Sequence, residues 1–331
     1  MSAEIEHGGA LDKAAARFGG RPQDWLDLST GINPEPFPLP ELTPAIWNRL
    51  PDEGLLQETL RLARSYYRLH EKAPIVASPG TQALIQLVPT LVTPSTVAVL
   101  GPTYQEHAAS FAASGWKVMQ CTTIDGIPHD ATVAVIVNPN NPDGRVISSE
   151  TVLHLSQKLG ARGGFLVVDE AFADANEAVS IAANAEDAPM IVLKSFGKFF
   201  GLAGVRLGFA IACARFADVL ERRLGPWAVS GPALAVANHA FSNSRELVAY
   251  RARIDLRRLE LSAALERSGL KEIGGTALFS LVENANALKI YTRLCERHIL
   301  VRKFDYAPRW LRIGLPLDDL AVARFEKALK F

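Results

Sequence analysis

The sequence contains little cysteine, and the cysteines that it has form no recognisable pattern. Among 331 residues there are three, far apart, with neither a CxxC pair nor a spacing that would hold a metal ion. Single, scattered thiols are typical of proteins kept in a reducing compartment, so no disulfide framework and no metal centre are predicted. The three are Cys121, Cys213 and Cys295.

The chain also lacks an excess of charge and any long apolar run. Lysine and arginine together number 35, as do aspartate and glutamate, so the formal net charge is zero. Proteins that bind nucleic acid or a membrane surface usually carry a basic excess, and neither partner is predicted here. No run could span a bilayer, and the N-terminus lacks the basic and apolar segments of a secretory signal. We therefore expect a soluble protein of the cytoplasm.

The order of the predicted elements indicates an α/β protein with two domains. Apolar residues make up 48% of a chain that is too long for one ordinary domain, so a large core is expected. Residues 1–40 are rich in proline and glycine with little periodicity, and we predict an arm there. Strands and helices alternate over 41–214, the predicted large domain, and a smaller α/β domain is predicted over 215–331.

The strands of the large domain are short apolar runs without polar alternation. Such strands are covered on both faces, which indicates a mostly parallel, seven-stranded sheet beneath helices. Strands are predicted at 75–77, 96–100, 116–121, 132–137, 165–168, 190–193 and 207–212, and helices at 53–69, 81–91, 104–113 and 149–159. In the smaller domain, helices are predicted at 247–267, 285–297 and 318–328, and strands at 279–282, 299–302 and 310–313.

A lysine that follows the strand at 190–193 is the strongest candidate for a reactive group. Ser195, Lys198 and Arg206 have the spacing Ser-x2-Lys-x7-Arg in a segment rich in glycine and phenylalanine. Among apolar neighbours the amine loses hydration, which favours its neutral, nucleophilic form. A hydroxyl and a guanidinium are groups that bind a phosphate dianion. The segment therefore predicts an aldehyde that carries a phosphate, namely pyridoxal 5′-phosphate (PLP).

Further polar positions come shortly after predicted strands. Gly80 and Thr81, Asn141, and Asp169 each follow a different strand of the large domain. Ligands of open α/β sheets bind beyond the carboxyl ends of the strands, so we expect these residues and Ser195 at one edge. Gly80 and Thr81 also open a predicted helix, an arrangement that attracts anions.

These motifs together resemble a known superfamily. The lysine segment is similar to that of the fold-type I PLP enzymes, the aspartate aminotransferase superfamily, and Asn-Pro-Asn-Asn-Pro at 138–142 and Val-Val-Asp-Glu-Ala-Phe at 167–172 resemble two of its upstream motifs. The resemblance covers most of the chain and implies the PLP-dependent transferase fold and a homodimer. Histidinol-phosphate aminotransferases look similar, and the threonine-phosphate decarboxylases of cobalamin biosynthesis more so, because of His-Gly-Gly at 7–9 and Leu-Ser-Thr-Gly-Ile-Asn-Pro at 28–34.

The resemblance implies a role for each candidate in the large domain. Asp169 would pair with the pyridine nitrogen of the cofactor, Asn141 would bond its ring oxygen, and Tyr104 would stack on the ring. Lys198 would bond the aldehyde, be released by the incoming amino acid and then donate a proton. The residues that would bind the cofactor's phosphate are Gly80, Thr81, Ser195 and Arg206.

The substrate implied by the resemblance is a small phosphorylated amino acid, which needs two anion-binding groups. Arginine suits an α-carboxylate, and Arg312 matches the carboxylate arginine of the family, with Arg309 as an alternative. Arg302 would bind the phosphate of the substrate, together with His7 and Asn33 from the arm.

Two positions depart from the pattern of the family. Phe172 stands where aminotransferases of the family usually have a tyrosine bonded to the ring oxygen of the cofactor, and the threonine-phosphate decarboxylases look similar here. Leu50 stands where many relatives have a tyrosine that reaches the cofactor of the neighbouring subunit. The dimer is still predicted, but that contact is not.

Three functions stay open at this point. We predict decarboxylation of L-threonine O-3-phosphate to (R)-1-amino-2-propanol O-2-phosphate in cobalamin biosynthesis, which needs no keto acid. An aminotransferase of the histidinol-phosphate type, which needs 2-oxoglutarate, is the alternative. A non-catalytic partner subunit with this fold is the third, and the presence of Lys198 counts against it. The first two differ in whether the carboxylate or the α-hydrogen is held perpendicular to the cofactor ring.

Overall fold

The computed structural model describes residues 7–330, and the chain folds into two compact units. The large unit consists of Phe37–Asn141 and Val146–Val248, and the small unit of the chain up to Pro36, Pro142–Arg145 and the chain from Ala249 onward. The predicted arm thus belongs to the small unit through Pro36, and residues 215–248 belong to the large unit.

The strands of the described chain form two sheets. One has seven strands and belongs to the large unit, and the other has five and belongs to the small unit. In chain order the strands are β1 (Leu26–Leu28), β2 (Ile75–Ser78), β3 (Thr96–Leu100), β4 (Lys117–Cys121), β5 (Ala131–Val137), β6 (Phe165–Asp169), β7 (Met190–Ser195), β8 (Gly208–Ala212), β9 (Lys271–Thr276), β10 (Phe279–Glu283), β11 (Ile299–Lys303) and β12 (Trp310–Gly314).

The α-helices cover these sheets and connect their strands. In chain order they are α1 (Leu11–Phe18), α2 (Pro44–Asn48), α3 (Glu53–Tyr66), α4 (Thr81–Leu87), α5 (Gln105–Ala113), α6 (Ser149–Gly160), α7 (Phe196–Phe199), α8 (Ala214–Leu224), α9 (Gly231–Ser242), α10 (Ser244–Arg267), α11 (Ala287–Glu296) and α12 (Asp319–Leu329). Among residues 7–330, none of them combines the length and the apolar character that crossing a bilayer requires.

The large sheet has the predicted α/β character. Its order is β2-β8-β7-β6-β5-β3-β4, with β8 antiparallel to β2 and β7 and the other pairs parallel. Every residue of β6 and β7 is buried, as expected for strands covered on both faces. The predicted mostly parallel, seven-stranded sheet is therefore confirmed, and its carboxyl-end edge carries Asp169 and Ser195 as the last residues of their strands.

The small sheet has the order β1-β11-β12-β10-β9. Strand β1 runs parallel to β11, which ties the segment before Pro36 to the small unit, and the remaining pairs are antiparallel. In the β11–β12 pair, Arg302 lies directly opposite Arg312. Two of the predicted substrate residues are therefore neighbours on one face of this sheet.

Several elements were not predicted, for physical reasons. Strand β1 has only three residues, and β9 contains Gly274 and Gly275, so neither shows a strand pattern. Helix α9 is apolar on most sides and has no amphipathic period. The helix predicted over 81–91 ends at Leu87 and continues as a 3₁₀ turn, Val88–Thr90, in which Pro89 cannot donate a backbone hydrogen bond.

Candidate active site

Asp169 ends β6 with a buried carboxylate that has two fixed partners. Its Oδ2 lies 2.8 Å from Nε2 of His107, and its Oδ1 accepts the N–H of Ala171 at 3.0 Å. Asp169 is 3% exposed and His107 1%. Because both contacts lie away from water, they hold the carboxylate in one orientation at the carboxyl edge of the sheet.

His107 was not among the residues predicted from the sequence. It lies in α5, and Tyr104 immediately precedes that helix. The Tyr104 ring meets the imidazole edge-on at a centroid distance of 6.1 Å, and its Oη donates to Oε1 of Gln82 at 3.3 Å. A single histidine in a helix carries no local signal, so the sequence could not have identified His107 without its contact to Asp169.

Lys198 lies in α7, the short helix that directly follows β7. Its side chain is half-buried, and its Nζ is 5.9 Å from the centroid of the Phe172 ring. The neighbouring rings of Phe196, Phe199 and Phe200 are buried, with Phe196 stacked on Phe200 at 4.3 Å. Lys198 thus presents its amine near one aromatic face, on a short helix whose phenylalanine rings are buried.

The residues predicted to bind the cofactor's phosphate lie close to one another, and Gly208 lies next to two of them. This glycine is the register partner of Ser195, and a Cβ added to it would lie 2.7 Å from the backbone N of Thr81. A Cβ added to Gly80 would lie 2.6 Å from Nη2 of Arg206. A methyl group on Gly80 would therefore have to displace the guanidinium of Arg206.

Asn141 follows β5 and is half-buried. The loop that carries it is held by its neighbours, since Oδ1 of Asn140 accepts from Thr103 at 2.6 Å and its Nδ2 donates to the carbonyl of Pro102 at 3.0 Å. The side chain of Asn138 bonds the backbone of Ile147 in both directions, at 2.9 and 3.1 Å. Asn138 and Asn140 therefore shape the loop that carries Asn141, the residue predicted to bond the ring oxygen of the cofactor.

In the small unit, Arg312 is fixed in place by its surroundings. It is 7% exposed, its Nη2 donates to the carbonyl of Ser29 at 2.7 Å, and its guanidinium carbon lies 5.0 Å from the centroid of the Phe279 ring. Arg302, opposite it, lies 5.6 Å from the ring centroid of Phe304. Two cations on one face of a sheet repel each other, and a bound anion would offset that repulsion.

The other predicted residues of the small unit differ in burial. Asn33 is 4% exposed, and its Oδ1 accepts the N–H of Glu35 at 3.2 Å. His7 is exposed at the start of the described chain.

Tyr306 is a further polar group of this unit that was not predicted. Its ring lies 5.4 Å from that of Phe304. Partial burial raises the pKa of Tyr306 to about 12, with Arg302 and Arg312 acting in the opposite direction and Asp143 in the same one. The phenol is therefore protonated at neutral pH and can donate a hydrogen bond to an anion.

The large-unit residues fit PLP. The half-buried Lys198 is suited to an aldehyde, and the buried carboxylate of Asp169, held by His107, is suited to a ring nitrogen. Arg206, which lies against the backbone of Gly80, is suited to a phosphate. Among residues 7–330 no group of three potential metal ligands is present.

Gly80→Ala should weaken PLP binding by about 10–100-fold, because the new methyl group displaces the guanidinium of Arg206 and its charge-assisted hydrogen bonds. The measurement is titration of the apo-protein with PLP. Gly225→Ala is the matched control, since Gly225 has a similar φ of 74°, against 81° at Gly80, but open space around its Cβ position. Equal loss of affinity in both variants would mean that backbone strain alone is responsible.

Comparison with known proteins finds a family model and relatives that match most of the chain. The model of the family "Aminotransferase class I and II" matches residues 42–328. A threonine-phosphate decarboxylase from Sinorhizobium sp is 47% identical, covering 99% of this chain and 98% of the relative. One from Pseudomonas aeruginosa is 40% identical, covering 98% and 97%.

Solved structures share the fold. A histidinol-phosphate aminotransferase from Sinorhizobium meliloti in complex with PLP superposes with a TM-score of 0.83 at 18% identity, covering 99% of this chain and 94% of the other. An L-threonine-O-3-phosphate decarboxylase from Porphyromonas gingivalis gives 0.74 at 17% identity, covering 92% and 98%. The fold and cofactor predicted from the sequence are thus confirmed, and the chain belongs to the class I and II aminotransferase family of PLP-dependent enzymes.

Proposed function

We propose that the protein decarboxylates L-threonine O-3-phosphate to (R)-1-amino-2-propanol O-2-phosphate in cobalamin biosynthesis. The observation that carries this proposal is 47% identity over nearly the whole of both chains to a relative named threonine-phosphate decarboxylase. A relative named histidinol-phosphate aminotransferase, from Ruminiclostridium cellulolyticum, is 28% identical over 79% of this chain, which favours the aminotransferase alternative less.

In this proposal the large unit binds the cofactor. Asp169, oriented by His107, would pair with the ring nitrogen, and Asn141 would bond the ring oxygen beside Tyr104. When bound, PLP supplies an electron sink for bond breaking at the substrate α-carbon. Lys198 would bond the aldehyde, and its Nζ would deliver the proton to the α-carbon after carbon dioxide has left. The cofactor phosphate would be bound by Gly80, Thr81, Ser195 and Arg206.

The small unit would supply the groups that bind the anions of the substrate. Arg312 would take the carboxylate as a planar, two-pronged partner, and Arg302 the phosphate. The register of β11 and β12 supports this proposal, because it sets the two arginines side by side, where one substrate with two anionic groups could contact both. His7 and Asn33 would add hydrogen bonds to the phosphate.

We also propose a homodimer that acts in the cytoplasm on this small molecule, without nucleic acid or membrane. Three large apolar side chains support the dimer, since Trp47 is 67%, Leu50 63% and Trp227 60% exposed. Trp47 lies in α2, which packs against α9, and Trp227 lies four positions before α9 begins. Exposed apolar side chains of this size are typical of protein contacts. Sedimentation equilibrium would give the mass of the assembly.

The proposed function is tested by offering PLP-loaded protein threonine phosphate alone. We expect release of carbon dioxide and formation of the phosphorylated amino alcohol, without any keto acid. The parallel reaction contains histidinol phosphate and 2-oxoglutarate and should form no glutamate. If glutamate forms in that reaction and threonine phosphate releases no carbon dioxide, the decarboxylase proposal is wrong and the aminotransferase takes its place.

A further inference from the structure

A cluster of buried charges lies beside the strand ends that carry Asp169 and Ser195. Nζ of Lys194 is 2.6 Å from Oε2 of Glu170 and 3.6 Å from Oδ1 of Asp174, and all three side chains are at most 2% exposed. Each ion loses its hydration on burial, and ion pairing often does not fully offset that free energy. The burial of three charged side chains is therefore not explained by the stability of the fold alone.

The side chain of Lys194, at the centre of this cluster, is held as an ammonium ion. Burial alone would lower the pKa of Lys194, but Glu170 and Asp174 outweigh it and raise that pKa above its ordinary value. Nζ also donates to Oγ of Ser180 at 3.0 Å, and Ser180 in turn donates to Glu170 at 2.6 Å. We refer to Lys194, Glu170, Asp174 and Ser180 as the Lys194 cluster.

The Lys194 cluster joins two strands one residue away from the site. Glu170 follows Asp169, and Lys194 precedes Ser195. The N–H of Glu170 donates to the carbonyl of Leu193 at 2.9 Å, which continues the parallel pairing of β6 and β7. Successive side chains alternate between the faces of a strand, so the ion pair lies on the opposite face from Asp169 and Ser195.

The cluster also closes the segment 170–181. Glu170 begins this segment, Asp174 lies within it, and near its end the N–H of Ile181 donates to Oε1 of Glu170 at 2.7 Å. Within the segment lies Phe172, whose ring is 5.9 Å from Nζ of Lys198. A displacement of the segment would therefore move the aromatic face beside the reactive amine.

We propose that Lys194 is a positioning residue for the cofactor reaction. By holding both acidic side chains, it fixes segment 170–181, and with it the placement of Phe172 against Lys198 and of Asp169 in its strand. The inference rests on the proposed function only in requiring that Lys198 bonds PLP, and it does not depend on the identity of the substrate.

The test replaces Lys194 by methionine, which keeps the length of the side chain and removes its charge. We expect the pH midpoint at which the Lys198-bound cofactor changes colour to rise by about 0.5 unit or more, because loss of a cation beside two carboxylates favours the protonated form. With threonine phosphate, kcat should fall by about 10-fold while KM changes less than about twofold, as for a misplaced reacting group.

Two further variants separate positioning from loss of folding. Lys194→Arg retains the charge and should restore the pH midpoint of the colour change. Asp174→Asn removes one contact of the cluster and should shift that midpoint, even where Lys194→Met does not fold. Lys117→Met is the matched control, because Lys117 is 66% exposed and 3.8 Å from Asp130. A wild-type midpoint in a folded Lys194→Met or in Asp174→Asn would overturn the proposal.

The colour titration is made without substrate, so its outcome is independent of the reaction catalysed. A wild-type protein that fails to decarboxylate threonine phosphate but titrates normally would overturn the proposed function and leave the role of Lys194 intact.

Discussion

Lys198→Ala is expected to remove the yellow absorbance of the bound cofactor and to lower turnover of threonine phosphate by about 10⁴-fold or more. In the proposed reaction the amine both bonds the aldehyde and moves a proton, so its loss would remove two contributions to the rate. Lys198 lies half-buried, with its Nζ 5.9 Å from the centroid of the Phe172 ring. Absorbance after addition of PLP and carbon dioxide release measure the two effects.

The control for this experiment is Lys158→Ala, an exposed lysine in the last turn of α6. It should keep the colour and the rate of the wild-type protein. Near-normal carbon dioxide release by Lys198→Ala would show that another group bonds the cofactor.

Asp169→Asn is expected to lower kcat by about 10²–10³-fold, as removal of a preorganised electrostatic partner does. The amide keeps the shape of the side chain and a contact with His107, but it carries no charge to stabilise a protonated ring nitrogen. The measurement is the pH profile of kcat, together with PLP affinity of the apo-protein.

The matched control is Asp130→Asn, because the Asp130 side chain is 62% exposed and contacts the exposed Lys117 and the hydroxyl of Thr96. It should leave kcat unchanged. If Asp169→Asn retained the wild-type rate across the pH range, a charged partner for the ring nitrogen would be unnecessary.

The sheet of the large unit could be predicted because its signal is local. The apolar runs of β5, β6 and β7 identify buried strands one at a time, and parallel packing then requires their carboxyl ends to share an edge. The same logic explains why Ser195 and Thr81 could be assigned to one edge before their proximity through Gly208 was known, whereas Arg206 was assigned from its spacing within the lysine segment.

The remaining features depend on contacts between residues distant in sequence. His107 touches Asp169 across 62 positions, and a single histidine within a helix carries no signal of its own. Arg302 and Arg312 were predicted separately, but their opposition follows from the register of β11 and β12, which no local pattern encodes. Lys194 looks like an ordinary strand residue until Glu170 and Asp174 are placed around it.

The aromatic residues around Lys198 have a consequence for how the reaction can proceed. Phe196, Phe199 and Phe200 anchor the short helix in the core, and Phe200 also packs edge-on against Phe37 at 5.5 Å. With its backbone fastened in this way, the amine can travel only as far as rotation about its own four-carbon stem permits. In the proposed reaction, the change from bonding the aldehyde to donating a proton would therefore come from rotamer changes of this one side chain.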